Sequence, residues 1–375
     1  MRPAPFSHSR VHLNATQMQH NSMQTTEFMG PQSANRSAPS SGLVGAVAIG
    51  RNEGERLHAC LRSLIGLVDQ LVYVDSGSTD GSVEFARQLG VEVVELDISK
   101  PFTMARGRNA GFARLEQILP RIEFVQFVDG DCEVESGWIA TATAALNSNP
   151  ARGAVCGDRA ERFPEDSLYN RLTDMEWRGP AGDVAFCGGD VLMRVAALRQ
   201  TGGYLEHMIA GEDPEICVRL RQKGWKLLRL DMPMTKHDVA MRHFSQWWKR
   251  TVRSGHAYAE GAWIHSKSSE RPWQHEVRRN FFWGLLFPIT ITVLAIPTHG
   301  LTMLLWMLYP VWTFKIARAR QRAFRDPLSD AMLYGFFCML SKFPTALGQL
   351  RFYWRSITRQ TPQLIEYKIS SAKTT

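Results

Sequence analysis

Two aspartates one residue apart, Asp129 and Asp131, end an apolar run at positions 124–133 (FVQFVDGDCE). Phe124, Val125, Phe127 and Val128 read as a strand buried on both faces, and Gly130 permits a tight bend after it. Both carboxylates then leave the carboxyl end of a central strand, where open α/β sheets bind ligands. Carboxylates this close repel each other unless a positive group lies between them. A hard divalent cation fits, because Mg²⁺ takes one or two protein carboxylates together with substrate phosphates. A second acidic pair, Glu212-Asp213 after Gly211, precedes Ile216, Arg219 and Leu220 at helical spacing. On spacing alone this pair reads as capping, since acids at a helix start complement its dipole.

The elements that position these groups follow from periodicity. Residues 43–49 (LVGAVAI) predict a first strand, broken by Gly50-Arg51-Asn52-Glu53. Leu57, Cys60, Leu61, Leu64 and Ile65 recur at helical spacing. Residues 71–74 predict a second strand ending at Asp75, and the polar turn 76–81 starts a helix with Val83, Ala86 and Leu89 inward. A strand over 91–96 and a helix over 103–118 complete the alternation, which predicts a parallel sheet covered on both faces. Neither GxGxxG nor the P-loop GxxxxGK[ST] is present, which disfavours a dinucleotide oxidoreductase or a P-loop NTPase. The strand-end loops instead offer Asn52, Glu53, Asp75, Asp80, Arg108 and Asn109. Carboxylates accept from a base or from ribose hydroxyls, and arginine donates to phosphate.

Five segments, taken in order, resemble the family-two glycosyltransferases. They are GRNEGERL at 50–57, VDSGSTDGS at 74–82, ARGRNAG at 105–111, FVDGDCE at 127–133, and FCGGD with GEDPEICVRLRQKGWKL at 186–190 and 211–227. The resemblance covers about Val44 to His256. It implies an inverting enzyme with the A-type glycosyltransferase fold, a Rossmann-like mixed sheet with helices on both faces, that uses Mg²⁺ or Mn²⁺. It implies that Asp75 contacts the base, with Asp80 its partner in the same loop. Arg51, Asn52 and Glu53 line the nucleoside pocket, Arg108 and Asn109 lie beside the nucleotide, and Asp129 holds ribose or metal. Asp131 ligates the metal and His237 completes its shell. Gly188, Gly189, Asp190 and Glu212 face the acceptor, and Asp213 is the general base. The first motif departs from the family's common threonine–tyrosine–asparagine–glutamate form, which leaves the base preference open. The implied donor is a nucleoside-diphosphate sugar, with UDP expected. Gln246-Trp247-Trp248-Lys249-Arg250 resembles, in the wrong order, the Gln-x-x-Arg-Trp signature of processive synthases. A processive synthase and a catalytically silent scaffold are the rival readings.

The formal net charge is +8, with basic residues dense at Arg278-Arg279 and through 315–325. Both clusters flank apolar runs, which points to an anionic membrane surface rather than nucleic acid. The runs 281–296 and 301–314 are uncharged and joined by Pro297-Thr298-His299-Gly300, and residues 331–347 are broken by Lys342 and Pro344. We expect a hairpin that spans or re-enters the membrane from its cytoplasmic face, followed by an interfacial stretch, with Arg351, Arg355 and Arg359 on the same side. That location suits a glycan or polyprenyl-linked acceptor. The expected organisation is a disordered tail over 1–41, a catalytic domain over 42–265 (nucleotide half 42–135, acceptor half 136–265) and a helical membrane-associated region over 266–375. Residues 1–41 lack the apolar core of a signal peptide, and Met18, Met23 and Met29 offer alternative starts. The six cysteines stand singly without CxxC, so they read as free thiols in a reducing cytosol.

Overall fold

The computed structural model of the chain describes residues 42–358. The expected N-terminal tail and Arg359 lie outside the described residues. In chain order the strands are β1 (Val44–Gly50), β2 (Gln70–Asp75), β3 (Glu92–Glu95), β4 (Phe124–Asp129), β5 (Cys132–Val134), β6 (Arg152–Glu161), β7 (Gly182–Asp183), β8 (Val191–Arg194) and β9 (Lys226–His237). Between them lie α1 (Glu55–Leu64), α2 (Ser82–Gln88), α3 (Met104–Ile118), α4 (Trp138–Asn147), α5 (Leu168–Trp177), α6 (Val195–Thr201) and α7 (Glu212–Gln222). Helices then take over: α8 (Phe244–Ile264), α9 (Gln274–Phe281), α10 (Phe287–Leu294), α11 (Leu308–Phe324), α12 (Leu328–Leu340) and α13 (Lys342–Thr358).

The strands form one sheet in the order β3-β2-β1-β4-β8-β6-β9-β5, with β7 paired to β9. The first four strands are parallel, as the alternating pattern requires, and β8 turns antiparallel against β4. The sheet is therefore mixed. Ala46, Val47, Ala48, Val72, Phe124 and Phe127 are fully buried, so the central strands are covered on both faces. The segment 231–236 continues β9 to His237 beside β6, with register irregularities along the pair. That extension carries His237 opposite Cys132 of β5.

The C-terminal helices pack onto the sheet domain through α8. A Cβ at Gly255 would overlap the carbonyl oxygen of Thr345, and one at Gly348 would overlap that of Val252. Helices α8 and α13 thus approach backbone to backbone. Trp247 of α8 is buried and meets the ring of Phe337 of α12 edge-on at 4.8 Å. The expected boundary at 265/266 follows directly on a helix whose inner face is already committed to α12 and α13.

The two apolar runs form a helical hairpin that turns at 295–300. Its first arm contains a π-helical turn, Phe282–Leu286, in which Phe287 N–H reaches back to Phe282 O. Pro288 supplies no N–H, so the ladder slips at this point. The freed carbonyl of Trp283 accepts instead from the Tyr309 hydroxyl of α11 at 2.5 Å. Among the described residues no helix is long and apolar enough to cross a membrane, so the expectation of spanning arms is not met. The stretch 331–347 is likewise not one interfacial element. It divides between α12 and α13 at Ser341, and Tyr334, Phe337 and Met339 pack inward. Arg320, expected among the surface cations, is buried against the Phe324 and Tyr334 rings and bonds Asp326 at 2.6 Å.

Candidate active site

The carboxyl ends of β1, β2 and β4 converge on one edge of the sheet. Two of their loops are stitched together. Asn52 Oδ1 accepts from Thr79 N–H at 2.8 Å, and Ser78 Oγ accepts from Asn52 N–H at 2.9 Å. Asp80 Oδ2 accepts from Gly54 N–H at 2.9 Å, while its Oδ1 accepts from Ser82 N–H at 3.1 Å, at the first residue of α2. Asp75 is buried, and both its oxygens are engaged: Oδ2 by the N–H groups of Gly77 and Ser78, each at 2.8 Å, and Oδ1 by the Tyr73 hydroxyl at 2.8 Å. Asp75 and Asp80, expected at the nucleoside, have their carboxylates engaged by the backbone and side chains of their own and the neighbouring loop. Glu53 is paired with Arg56 at 2.8 Å, and Arg51 is exposed at the rim.

At the centre lies Arg108, on the buried face of α3. Its Nη2 donates to Asp129 Oδ1 at 2.9 Å, and its Nη1 lies 2.8 Å from Glu212 Oε1 and 3.1 Å from Asp213 Oδ1. One guanidinium thus ties the end of β4 to the start of α7. Gly189 makes room for this contact, because a Cβ there would overlap Arg108 Nη2 and lie 3.1 Å from Asp213 Oδ2. Burial is the largest influence on Asp213; with help from Glu212 and against Arg108, it pushes the carboxyl up to about 8.

Three expected contacts are turned inward. Glu212 is buried and bonded to Arg108, so it is a structural partner of the site and not an acceptor contact. Asn109 holds the segment after α6, donating to Tyr204 O at 2.9 Å and Glu206 Oε1 at 3.0 Å and accepting from Tyr204 N–H at 2.9 Å. Asp190 is fully buried. It accepts from Asp129 N–H at 3.2 Å and the Thr235 hydroxyl at 2.7 Å, and lies 2.7 Å from Arg159 Nη2. Asp190 therefore locks the end of β4 to β6 and β9 instead of facing an acceptor. Gly188, in contrast, is exposed beside Arg159.

The residues expected to hold a cation do meet. Asp131 Oδ2 lies 3.2 Å from His237 Nε2, and Asp131, Cys132 and His237 present ligand atoms within 4.8 Å of one another. Burial first, and Arg159 second, lower His237 to about 4, so its imidazole is neutral with a free lone pair at physiological pH. Burial pushes the Cys132 thiol well above its usual value. The carboxylate and imidazole of this group suit Mg²⁺ or Mn²⁺. Gly130 allows the chain to pass this point, because a Cβ there would lie 3.0 Å from Ile49 O.

One site residue, Arg159, escaped the sequence reading. Arg159 of β6 stands over the Trp177 ring at 5.3 Å, and Trp177 meets the His237 ring edge-on at 4.9 Å. The signal was a charge late in a strand whose first half is apolar. Gln246 turned out to be local: its Oε1 accepts from the N–H groups of Arg242 and His243 at 2.8 and 2.9 Å. With Trp247 buried, the Gln-Trp-Trp-Lys-Arg stretch packs the start of α8.

Residues 47–198 match the model of glycosyl transferase family 2. Over 193 residues the chain is 30% identical to the succinoglycan biosynthesis protein ExoA of Rhizobium meliloti, covering 48% of this chain and 58% of that protein. A pre-mycofactocin glycosyltransferase of Mycobacterium tuberculosis is 28% identical over 218 residues, 54% of this chain and 44% of its own. Glycosyltransferase AglE of Haloferax volcanii is 25% identical over 222 residues, 54% of this chain and 69% of its own. The chain thus spans about half the length of the first two of these relatives. Among solved structures, the mannosyltransferase PcManGT from Pyrobaculum calidifontis, in complex with GDP-Man and Mn²⁺, superposes with a TM-score of 0.58 at 17% identity, covering 84% of this chain and 89% of that one. That likeness speaks for the fold, and the mixed sheet with flanking helices fits the A-type architecture.

Proposed function

We propose, from the match of residues 47–198 to the glycosyl transferase family 2 model, that this chain is a metal-dependent, inverting glycosyltransferase. It moves one sugar from a nucleoside diphosphate, UDP by expectation, to a glycan or polyprenyl-linked acceptor at the cytoplasmic face of the cell membrane. One observation carries this reading: Arg108 holds Asp129 and Asp213 on a single guanidinium. The carboxylate on the donor side and the candidate base are thereby fixed beside each other.

Asp213 Oδ1 is engaged by Arg108, which leaves Oδ2, next to Gly189, to take a proton. The acceptor hydroxyl oxygen bonds to the anomeric carbon while the bond to the diphosphate oxygen breaks. Its proton passes to Asp213 Oδ2, and attack from the opposite face inverts the anomeric centre. Asp131 and His237 would hold Mg²⁺ or Mn²⁺, which supplies positive charge to the departing diphosphate. Arg108 keeps Asp129 and Asp213 in register as charge moves. That ExoA is named for succinoglycan biosynthesis and that PcManGT was solved with GDP-Man and Mn²⁺ support a nucleotide-sugar donor and a glycan product.

The membrane part of the reading rests on the hairpin. Val293, Ile296, Leu301, Leu304 and Met307 are all exposed, and together they form an apolar tip. Lys315, Arg318 and Arg322 are exposed on α11 beyond it. A hairpin dipping into one leaflet, with cations at the headgroups, accounts for both.

The test is a thermal-shift and donor-hydrolysis screen of UDP- and GDP-sugars on the full chain, with and without Mn²⁺. Asp131→Asn is expected to keep its melting temperature and lose the metal-dependent part of donor binding. Unchanged donor affinity with the same metal dependence refutes the assignment.

A further inference from the structure

His237 stands between two strands. On one side it pairs in register with Cys132 of β5, next to Asp131, and on the other with Glu161, the last residue of β6. Partners in register on neighbouring strands share a face of the sheet. The two ring nitrogens accordingly meet different acids. Nε2 lies 3.2 Å from Asp131 Oδ2, and Nδ1 lies 4.0 Å from Glu161 Oε2. Nδ1 is buried and has no hydrogen-bond partner, a costly condition that calls for an explanation. Trp177, edge-on to the ring at 4.9 Å, has no acceptor to offer it. Glu161 is fully buried and fixed in place. Its Oε1 accepts from Phe163 N–H at 3.2 Å and from Asn170 Nδ2 at 3.3 Å, and its Oε2 accepts from Val239 N–H at 3.1 Å. A carboxyl oxygen has about two acceptor sites, so Oε2 keeps one for the ring. The gap to Nδ1 exceeds a hydrogen bond by about 1 Å, which a turn of the imidazole about its soft χ2 covers.

We propose that Glu161 is a positioning residue for His237: its Oε2 takes the Nδ1 proton and thereby aims the Nε2 lone pair at the cation beside Asp131. A neutral imidazole carries one proton, on one nitrogen or the other. A cation held by Asp131 and His237 takes the Nε2 lone pair, so the proton stands on Nδ1 and needs an acceptor there. Placing it so removes one proton from Nε2 and adds one at Nδ1, with no net change. Histidines that bind metals commonly give their second N–H to a carboxylate or carbonyl, which fixes the tautomer and the ring's direction. The inference rests on the assignment of Asp131 and His237 to the cation, and it adds the residue that orients one of them.

The test has two readouts on the full chain. In the wild type with isotope-labelled histidine, long-range proton–nitrogen correlations report the His237 tautomer as Mg²⁺ is added to saturation, the signal being assigned with His237→Gln. The proton is expected on Nδ1 once the ion is bound. Mn²⁺ affinity, read by electron paramagnetic resonance of the free ion, is expected to fall about 10–100-fold in Glu161→Met, the usual cost of losing such a partner. Glu161→Gln keeps an acceptor oxygen and is expected to recover most of that loss. Asn170→Ala removes a bond to the far oxygen, Oε1, and serves as the control for loosened structure; its affinity should stay within about threefold of wild type, well short of that cost. Melting temperatures are measured in parallel, and the wild-type spectrum decides the matter even if Glu161→Met does not fold. A proton that stays on Nε2 with the ion bound, wild-type affinity in Glu161→Met, or an equal loss in Asn170→Ala overturns the proposal. Asp131→Asn reads the metal assignment separately: weakened Mn²⁺ binding there with none in Glu161→Met is failure of this inference alone, and unchanged binding in Asp131→Asn is failure of the assignment beneath it.

Discussion

Replacing Arg108 with methionine tests whether one guanidinium holds the site together. Methionine keeps an unbranched apolar side chain but removes the charge and every hydrogen bond. Glu212, with 3% of its side chain exposed, then loses its cation. Asp129 is 30% exposed and Asp213 20%, so water recovers part of their loss. Breaking a buried pair by removing one partner costs about 3–5 kcal/mol, and Glu212 alone justifies that figure. In a domain of this size each kcal/mol moves the melting temperature by about 2–4 °C, so a fall of roughly 6–20 °C is expected. The pH dependence gives a second readout. Arg108 lowers Asp213, which burial has already pushed up to about 8. Without the cation the folded-state value rises further. Above about pH 8 the variant's folded state then binds a proton that the wild type has released, and the variant loses relative stability as pH rises. Urea titrations at about pH 7 and pH 9.5 should therefore show a larger loss at the higher pH. A deficit below about 1 kcal/mol, or one equal at both values, refutes the shared counter-ion.

Asp213→Asn should leave donor affinity by calorimetry intact and lower kcat by about 10²–10⁴-fold, as expected for loss of a general base; near wild-type turnover with the true acceptor removes Asp213 from that role. In the wild type, kcat/KM should rise as pH increases through about 8 and then level, because the base works ionised; a flat profile from pH 6 to 9 contradicts this. Gly255→Ala should cost about 1–3 kcal/mol in thermal or urea unfolding by driving α8 off Thr345, whereas Lys249→Ala on the exposed face should stay within about 0.5 kcal/mol. Ile296→Asp combined with Leu304→Asp should reduce flotation with anionic vesicles by at least about tenfold, since an aspartate in hydrocarbon costs up to about 3 kcal/mol; a wild type that does not float ends the membrane reading.

The alternating half of the fold was legible because strands buried on both faces leave continuous apolar runs. All four expected parallel strands are present, and β4 ends at Asp129 as the run implies. The pairing of Asp131 with His237 was legible only through resemblance, since the two lie far apart in sequence and meet through β5 and β9. Other assignments failed for a reason internal to motifs. A motif gives residue types, not the direction a side chain faces. Asp190 and Glu212 carry the charge an acceptor site needs, yet the structure pairs them with the half-buried Arg159 and the buried Arg108. Asp75 closes its own turn by accepting from the N–H groups of Gly77 and Ser78. In the C-terminal runs the turn between the two arms was legible from Pro297-Thr298-His299-Gly300, whereas the π-helical turn before Pro288 in the first arm was not.

The cross-stitching of the first two loops has a consequence for how the donor preference can change. Asn52 acts on the backbone of Thr79 and Asp80 on that of Gly54, so neither loop can be reshaped alone. An Asn52 substitution that admitted a different base would also release the Thr79 amide, and the benefit would appear only once position 79 or 80 changed with it. Donor switching in this scaffold should therefore proceed by coupled substitutions across the two loops, and single-site libraries at either one should return loss of binding with no new specificity. Recombination that brings both loops from one relative crosses that barrier in one step, whereas exchanging either loop alone does not.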